Sequence, residues 1–143
     1  MTASLFEINA DGWANAARCL PSPNFDARPD EMPVELLVIH NISLPPSQFG
    51  GDWIDDLFLN RLDPLAHPYF ETIHTFKVSS HFLIKRDGSI TQYVSCNDRA
   101  WHAGASCWRD RTRCNDFAIG IELEGDDFSP FTDAQYTSLH ALT

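Results

Sequence analysis

Val34-Glu-Leu-Leu-Val-Ile-His40 is the stretch that decides the fold of this 143-residue chain. Every residue from Leu36 to Ile39 is apolar, and turn-forming residues bound the run on both sides. Pro33 precedes it, and the loop from Asn41 to Gly51 contains two prolines and two glycines. A short and nearly continuous apolar run is typical of a strand buried on both faces of a sheet. We therefore expect a core strand that ends at His40.

A β-hairpin is predicted further along the chain. Ser80 to Arg86 and Ser89 to Val94 are strand-like runs, and Asp87-Gly88 separates them. Because Asp-Gly tolerates the positive φ angles of a type I′ turn, this dipeptide is a strong short-range signal for a hairpin.

A third strand is predicted from Phe117 to Leu123, where large apolar residues alternate with Ala118, Gly120 and Glu122. One face of this strand is apolar, and the other stays small until Glu122 presents a carboxylate. Helices are predicted on either side of these strands along the chain. Asp52 can cap a helix that carries Trp53, Ile54, Leu57 and Phe58, and Thr132-Asp-Ala-Gln135 is a capping box that begins another. The elements together predict one α/β domain over residues 1–143, with a mixed central β-sheet flanked by helices.

Composition and charge exclude several classes of protein. The formal net charge is −10, and the residues from Asn115 onward include six acids and no Lys or Arg. Such a surface argues against a nucleic-acid partner. No apolar run approaches the ~20 residues that a membrane span needs, and Met1 to Ile8 carries no export signal. The four cysteines are therefore interpreted as free thiols in a reducing compartment.

Two histidines lie where a functional group is expected. His40 ends the core strand beside a Gly/Pro-rich loop, and His102 belongs to the loop Ala100-Trp-His-Ala-Gly104. His40 is either a ligand or catalytic group, or a half-buried histidine bonded to a backbone carbonyl. His102 either lines a pocket or packs as an ordinary loop residue. His67, His74 and His81 recur every seven residues, but Pro68 breaks the helix that this spacing would need, so the spacing is interpreted as coincidence.

Glu122 is the strongest candidate for acid–base chemistry. It lies at the end of a strand, and its neighbours on the same face, Ala118 and Gly120, leave room for a substrate. Partial burial would raise the pKa of its carboxyl group and suit it to proton transfer. The alternative is a salt-bridged or edge-exposed glutamate, and Glu124 two residues later is a rival. The sequence contains neither His-Glu-x-x-His nor Gly-x-Ser-x-Gly.

The run Val38-Ile-His40-Asn-Ile-Ser-Leu-Pro-Pro46 resembles the AmpD-type N-acetyl-anhydromuramyl-L-alanine amidases of the zinc amidase superfamily. The resemblance extends over nearly the whole chain, and further matching segments are Pro21 to Pro29, Phe49 to Gly51, Asp63 to Phe70, Val78 to Gly88, Ala100 to Gly104 and Arg113 to Gly125. In this family the histidine that ends the first core strand is a zinc ligand, which implies this role for His40. The glutamate of the Ile-Gly-Ile-Glu strand is the catalytic acid/base, which implies that role for Glu122.

The resemblance also implies substrate contacts and assigns a branch of the superfamily. Asn41, Trp101 and Arg113 match positions that contact the muropeptide, and an arginine suits a carboxylate of the stem peptide. The phage-like branch has a tyrosine before the histidine of the hairpin strand. Ser80 occupies that position here, which favours the branch that uses a glutamate.

One departure from the family pattern concerns the metal. The family completes its zinc site with a second histidine and with an aspartate that follows a catalytic lysine, in a segment of the form Gly-His…Pro…Lys-x-Asp-Pro-Gly. The printed sequence reaches Thr143 before such a segment. The resemblance therefore predicts a domain that is incomplete at its C-terminus, with the remaining zinc ligands beyond Thr143.

The resemblance implies a monomeric cytoplasmic enzyme that acts on soluble 1,6-anhydro-muropeptides during cell-wall recycling. It would cleave the amide between the lactyl group of N-acetylmuramic acid and L-alanine. Zinc would polarise the carbonyl and lower the pKa of a bound water towards ~7. Two alternatives stay open: a muropeptide-binding module without catalysis, and an amidase that acts on polymeric peptidoglycan.

Overall fold

The computed structural model describes residues 6–143. Residues 1–5 lie outside this range. The prediction that Met1 to Ile8 carries no export signal therefore falls partly outside the described residues. Within that range the strands are β1 (Arg18–Cys19), β2 (Phe25–Ala27), β3 (Leu36–Ile42), β4 (Phe82–Ile84), β5 (Ile90–Gln92), β6 (Asp98–Ala100), β7 (Cys107–Trp108), β8 (Arg111–Thr112) and β9 (Ala118–Glu124). The helices are α1 (Trp53–Phe58), α2 (Pro68–Ile73) and α3 (Asp133–Leu142), and 3-10 turns cover Pro29–Glu31 and Cys114–Asp116.

The central sheet is mixed, as the sequence predicts. Its strand order is β1-β5-β4-β9-β3. The β4–β5 hairpin is antiparallel, whereas β1 pairs with β5, β4 with β9, and β9 with β3 in parallel. Two small antiparallel pairs, β2–β6 and β7–β8, lie outside this sheet.

Helices cover both faces of the sheet, and each face has its own apolar core. One core joins the apolar side chains of α1 and α2 to Leu83 and Tyr93. The other joins Ile119, Ile121 and Leu123 to Phe82 and Ile84, and α3 packs Leu139 and Leu142 against it. The predicted α/β class with a mixed central sheet and flanking helices is therefore confirmed.

The burial predicted for the first core strand is wrong. The strand exists, but β3 runs from Leu36 to Ile42 and is the edge strand of the sheet. Leu37 and Ile39 remain 47% and 44% exposed. The apolar run alone does not reveal this, because covering a face depends on what packs over it, and the side chains of α3 pack over β4 and β9.

The turn of the β4–β5 hairpin also differs from its prediction. A type I′ turn needs positive φ at both central residues, yet of Asp87 and Gly88 only Gly88 adopts it, at +85°. Asp87 instead accepts hydrogen bonds from the backbone N and the Oγ of Ser89. Glycine is required at position 88 for a second reason, because a Cβ there would lie 2.9 Å from the carbonyl oxygen of Ala134 in α3.

The two predicted helix starts have different outcomes. The capping box is confirmed, since Thr132 Oγ1 accepts from Gln135 N and Gln135 Oε1 accepts from Thr132 N. Gln135 is fully buried, and its Nε2 also donates to the carbonyl oxygens of Ile84 and Glu124, which ties α3 to the sheet. Asp52 precedes α1 as predicted but makes no capping hydrogen bond with its side chain. Its carboxylate lies 3.7 Å from Lys85 Nζ instead.

Cys19, Cys96, Cys107 and Cys114 are free cysteines, and the reducing compartment stays a prediction. Between residues 6 and 143, no helix has the length and apolar character to cross a bilayer.

Candidate active site

The parallel pairing of β3 with β9 places the two main candidate residues side by side. His40 is the register partner of Glu122, and Val38 is the partner of Gly120 on the same face. Partners in a parallel pair point to the same side of the sheet, so His40 and Glu122 share a face. The sequence predicts each residue at a strand end, and the sheet brings them together.

His102 joins this pair from the loop that follows β6. Its Nδ1 lies 2.9 Å from His40 Nε2, which is a hydrogen bond between the two rings. The His102 ring rests on β9 at Gly120, where an added Cβ would lie 2.4 Å from the ring. A glycine at position 120 is therefore a requirement for this placement of His102.

Side chains distant in sequence hold the His102 loop. Asn115 Oδ1 accepts hydrogen bonds from the backbone N of His102 at 3.2 Å and of Ala103 at 2.9 Å. The indole Nε1 of Trp101 donates to Asp26 Oδ1 at 3.1 Å, and Arg99 forms a two-pronged ion pair with the same carboxylate. The loop is thus positioned by polar contacts on both sides of His102.

Glu122 has the surroundings expected of an acid–base group. Its side chain is on the buried side of a strand, with 8% exposure, and its Oε2 is buried without a hydrogen-bond partner. Burial raises the pKa of this carboxyl group to about 8. A carboxyl with a pKa near neutrality can both take up and release a proton at physiological pH.

Glu124, the rival of Glu122, has a structural role. It is also buried, but both of its oxygens accept hydrogen bonds from backbone amides, Oε1 from Arg86 at 3.0 Å and Oε2 from Gly50 at 2.9 Å. These bonds tie the loop before α1 and the end of β4 to β9. The proposed acid–base chemistry is thus better served by Glu122.

Burial lowers the pKa values of the buried histidines for the same reason that it raises the pKa of Glu122, because it disfavours the charged form of each group. Burial lowers the pKa of His102 to about 3 and also lowers the pKa of His40.

His81 and His67, two of the histidines with seven-residue spacing, have separate roles. Burial lowers the pKa of His81 to about 4, and both of its ring nitrogens are occupied: Nδ1 accepts from Gly120 N, and Nε2 lies 2.9 Å from the carbonyl oxygen of Asp98. His67 instead caps α2 by accepting from Tyr69 N. The seven-residue spacing of histidines therefore does not create a cluster, as the sequence interpretation holds.

Two cavities meet at His102. The first, of about 300 Å³, holds Glu122 and is also lined by Trp101, Asn115 and Lys77. The second, of about 590 Å³, is lined by His40 and by the exposed edge of β3. His102 lines both. Lys77 and Asn115 are site residues that sequence reasoning did not single out. Asn115 lies in a segment that carries the family resemblance, and Lys77 directly precedes another.

The three predicted substrate contacts are placed differently. Trp101 lines the Glu122 pocket. Asn41 follows His40 on the opposite face of β3, and its Nδ2 donates to Asp127 Oδ1 at 2.8 Å beside a separate cavity. Arg113 has a left-handed backbone with φ of 57°, and its side chain is 77% exposed beside Asp116. Trp101 alone of the three thus shares a pocket with Glu122.

His40 suits one position of a zinc site. It is a neutral imidazole with one ring nitrogen in a hydrogen bond, an arrangement common among metal-ligating histidines. Residues 6–143, however, contain no group of three or more His, Cys, Asp or Glu side chains that could hold a metal ion. Since structural and catalytic zinc sites use three or four protein ligands, the described residues do not complete such a site.

Comparison with known proteins gives a consistent family. Residues 30–143 match Amidase_2, the N-acetylmuramoyl-L-alanine amidase family. The 1,6-anhydro-N-acetylmuramyl-L-alanine amidase AmpD of Citrobacter freundii is 59% identical over 133 residues, which are 93% of this chain and 71% of that protein. The crystal structure of a Se-Met AmpD derivative has a TM-score of 0.93 and 57% identity, covering 96% of this chain and 76% of that one.

A more distant structure is a complex. The Escherichia coli amidase AmiD bound to the substrate anhydro-N-acetylmuramic acid-L-Ala-D-gamma-Glu-L-Lys has a TM-score of 0.50 and 27% identity, covering 94% of this chain and 49% of that one. The family match, the sequence identity and the shared fold agree with one another. The chain therefore belongs to the N-acetylmuramoyl-L-alanine amidase family and is an amidase of the AmpD type.

Proposed function

We propose that this amidase hydrolyses the bond between the lactyl group of 1,6-anhydro-N-acetylmuramic acid and the L-alanine of a stem peptide. The observation that carries the proposal is the carboxyl group of Glu122, which lies in a pocket beside His40 with a raised pKa and an unpartnered oxygen. The name of the Citrobacter relative and the ligand of the AmiD complex support a soluble muropeptide as the substrate. Such a substrate fits a monomeric cytoplasmic enzyme of cell-wall recycling, and the net charge of −10 argues against nucleic acid.

Glu122 performs the proton transfers of this reaction. It takes a proton from the attacking water while the water oxygen bonds to the carbonyl carbon of the amide. It then delivers that proton to the nitrogen of L-alanine as the carbon–nitrogen bond breaks, which releases a lactyl carboxylic acid and a free amine. A raised pKa suits both halves of this cycle, since the same group must act first as a base and then as an acid.

His40 is proposed as one ligand of a zinc ion. Strand β3, paired with β9 through Ile42, holds it firmly. Burial lowers the pKa of its ring, which favours the neutral form that a metal ligand needs. Residues 6–143 supply no group of three such ligands, and the family pattern implies further ligands from a segment of the form Gly-His…Pro…Lys-x-Asp-Pro-Gly.

The stem peptide and the sugar are proposed to lie across the mouth of the Glu122 pocket. Trp101 forms part of its wall, and Lys77 is a cation on its lining that can pair with a carboxylate of the stem peptide. Asn41 and Arg113 lie outside that pocket and are proposed to contact more distant parts of the same small molecule.

The decisive experiment measures zinc content and release of peptide from anhydro-N-acetylmuramyl-tripeptide, using the full protein. We expect His40→Ala to lose stoichiometric zinc and turnover together, and the exposed His140→Ala to keep both. Wild-type zinc content in His40→Ala would contradict the ligand assignment. No turnover by the zinc-loaded wild type would contradict the proposed reaction.

A further inference from the structure

Two buried polar atoms in the Glu122 pocket have no partner. Three buried side-chain nitrogen or oxygen atoms of the described residues lack a hydrogen bond: Arg28 Nε, His102 Nε2 and Glu122 Oε2. The last two belong to side chains that line the same 300 Å³ pocket. Burying a polar atom without a hydrogen-bond partner is unfavourable, so two such atoms in one pocket indicate that a bound molecule completes their hydrogen bonding.

The placement of His102 is determined by three independent contacts. Asn115 holds its backbone, His40 holds its Nδ1, and the absence of a side chain at Gly120 lets the ring rest on β9. These contacts fix the orientation of the ring, and its other nitrogen, Nε2, is available to bind a ligand.

The protonation of the two rings follows from the proposed function, on which this inference rests. If His40 offers Nδ1 to zinc, its proton is on Nε2 and is donated to His102 Nδ1. The proton of His102 is then on Nε2. The pocket consequently presents one acceptor, Glu122, and one donor, His102.

We propose that His102 is a further catalytic residue, whose Nε2–H donates a hydrogen bond to the carbonyl oxygen of the scissile amide. Amide hydrolysis needs both groups: an acceptor for the proton of the water, and a donor for the oxygen on which negative charge develops. As the water oxygen bonds to the carbonyl carbon, the π electrons move onto the carbonyl oxygen and the bond from Nε2–H strengthens. These electrons return when the carbon–nitrogen bond breaks, and His102 keeps its proton throughout.

Two isosteric variants separate this role from a purely structural one. His102→Asn retains an amide near the position of Nδ1 and can still contact His40, but it has no group at Nε2. His102→Gln places an N–H near Nε2 and loses the contact at Nδ1. We expect kcat of the zinc-loaded full protein to fall roughly 100-fold in His102→Asn and less than about 10-fold in His102→Gln, with KM changed by less than about three-fold in both. A role limited to holding His40 predicts the opposite order and a loss of zinc in His102→Gln, and that result would overturn the proposal.

Gly120→Ala tests the same placement without altering His102. Its Cβ would displace the ring, so we expect kcat to fall with zinc content retained. The matched control is His67→Asn, which keeps the cap of α2 and should leave kcat unchanged. Unchanged kcat in Gly120→Ala, with a native ¹H–¹⁵N spectrum, would contradict the role of His102.

A measurement on the wild type that needs no turnover keeps the proposal testable even if the variants fold poorly. Long-range ¹H–¹⁵N correlation spectra of the wild-type chain report which ring nitrogen of each histidine carries the proton. We expect His102 to be protonated at Nε2 and His40 at Nε2. A His102 ring protonated at Nδ1 would overturn the donor role, even if the wild type is an active amidase. If the zinc-loaded wild type were inactive, the proposed function would fail instead.

Discussion

Glu122 and Glu124 are two residues apart on one face of one strand, and both are buried. Their surroundings nevertheless differ. Glu124 meets two backbone amides, from Gly50 and Arg86, whereas Glu122 Oε2 meets no hydrogen-bond donor. A buried carboxylate with satisfied hydrogen bonds, such as Glu124, anchors loops to the sheet. A buried carboxyl group with an unpartnered oxygen, such as Glu122, has a raised proton affinity. The comparison shows that hydrogen bonding, more than burial, distinguishes the functional carboxylate from the structural one.

The largest expected difference between the two glutamates is in catalysis. Glu122→Gln keeps the shape of the side chain and removes the base, so turnover of the zinc-loaded full protein should fall by ~10²–10⁴-fold, the usual worth of general acid–base catalysis. Zinc content should be retained, and the variant should remain folded at pH 7. Steady-state release of peptide measures the effect. A near-normal kcat in Glu122→Gln would contradict the assignment of Glu122 and make Glu124 the candidate acid/base.

The next effect is on stability as a function of pH. The pKa of Glu122 is about 8 in the folded chain, against 4.5 for an ordinary glutamate, so the folded state binds its proton more tightly than the unfolded state. Its contribution to stability is complete below about pH 4.5 and is lost as the pH rises through about 8. Relative to Glu122→Gln, the wild type should lose roughly 3–5 kcal/mol of unfolding free energy between pH 5 and pH 9.

Urea unfolding of both proteins at several pH values measures this difference. Subtracting the unfolding free energy of the variant from that of the wild type removes the contribution of His81 and His102. Their lowered pKa values make stability rise with pH, which is opposite to the effect of Glu122. Parallel pH profiles for wild type and variant would show that Glu122 is ionised in the folded chain at neutral pH.

Glu124→Gln should show the converse behaviour. The amide of glutamine places an N–H₂ group against one of the two backbone N–H donors, so one buried hydrogen bond is lost. We expect a loss of about 1–3 kcal/mol in unfolding free energy at pH 7. Hydrogen exchange at the Gly50 and Arg86 amides should become faster, and unchanged protection of both would contradict the anchoring role.

The smallest effects concern the lysines near the two glutamates. Lys77 lines the pocket of Glu122, while Lys85 donates to the carbonyl oxygen of Gly51 on the loop that Glu124 anchors. Lys77→Met should raise KM for a tripeptide-bearing substrate about two- to five-fold, as expected for one exposed ion pair, without a change in kcat. Lys85→Met is the matched control and should leave KM unchanged. Equal KM values for the two variants would remove Lys77 from the substrate site.

Much of the fold was predictable because the sequence carries strong local patterns. The alternation from Phe117 to Leu123, the hairpin around Asp87-Gly88 and the capping box at Thr132 each correspond to an observed element. The prediction errors concern how the elements pack against one another. The apolar run before His40 forms an edge strand with Leu37 and Ile39 partly exposed, because a strand with two apolar faces becomes buried only where other elements cover it.

The candidate site was predictable residue by residue but not as an arrangement. His40 and Glu122 are expected from their positions at strand ends and from the family resemblance, and the structure makes them register partners. Lys77 and Asn115 have no local pattern that marks them, because Lys77 reaches the pocket from the loop before β4 and Asn115 from the 3-10 turn before β9. The sequence makes His102 a candidate to line a pocket, with ordinary loop packing as the alternative. Its bond to His40 spans 62 positions in the sequence and follows from no local pattern.

The sequence by itself determined which side chains alternate on each strand, where a helix begins, and which residue types are available for chemistry. Only the tertiary structure decided which of those side chains have partners. Glu124 is satisfied by amides 74 and 38 positions away in the sequence, and Glu122, two residues earlier, keeps an oxygen free. The physical reason is that periodicity is a property of neighbouring residues, whereas a hydrogen bond requires two groups to approach within about 3 Å, and for distant residues only the packing of the whole chain sets that distance.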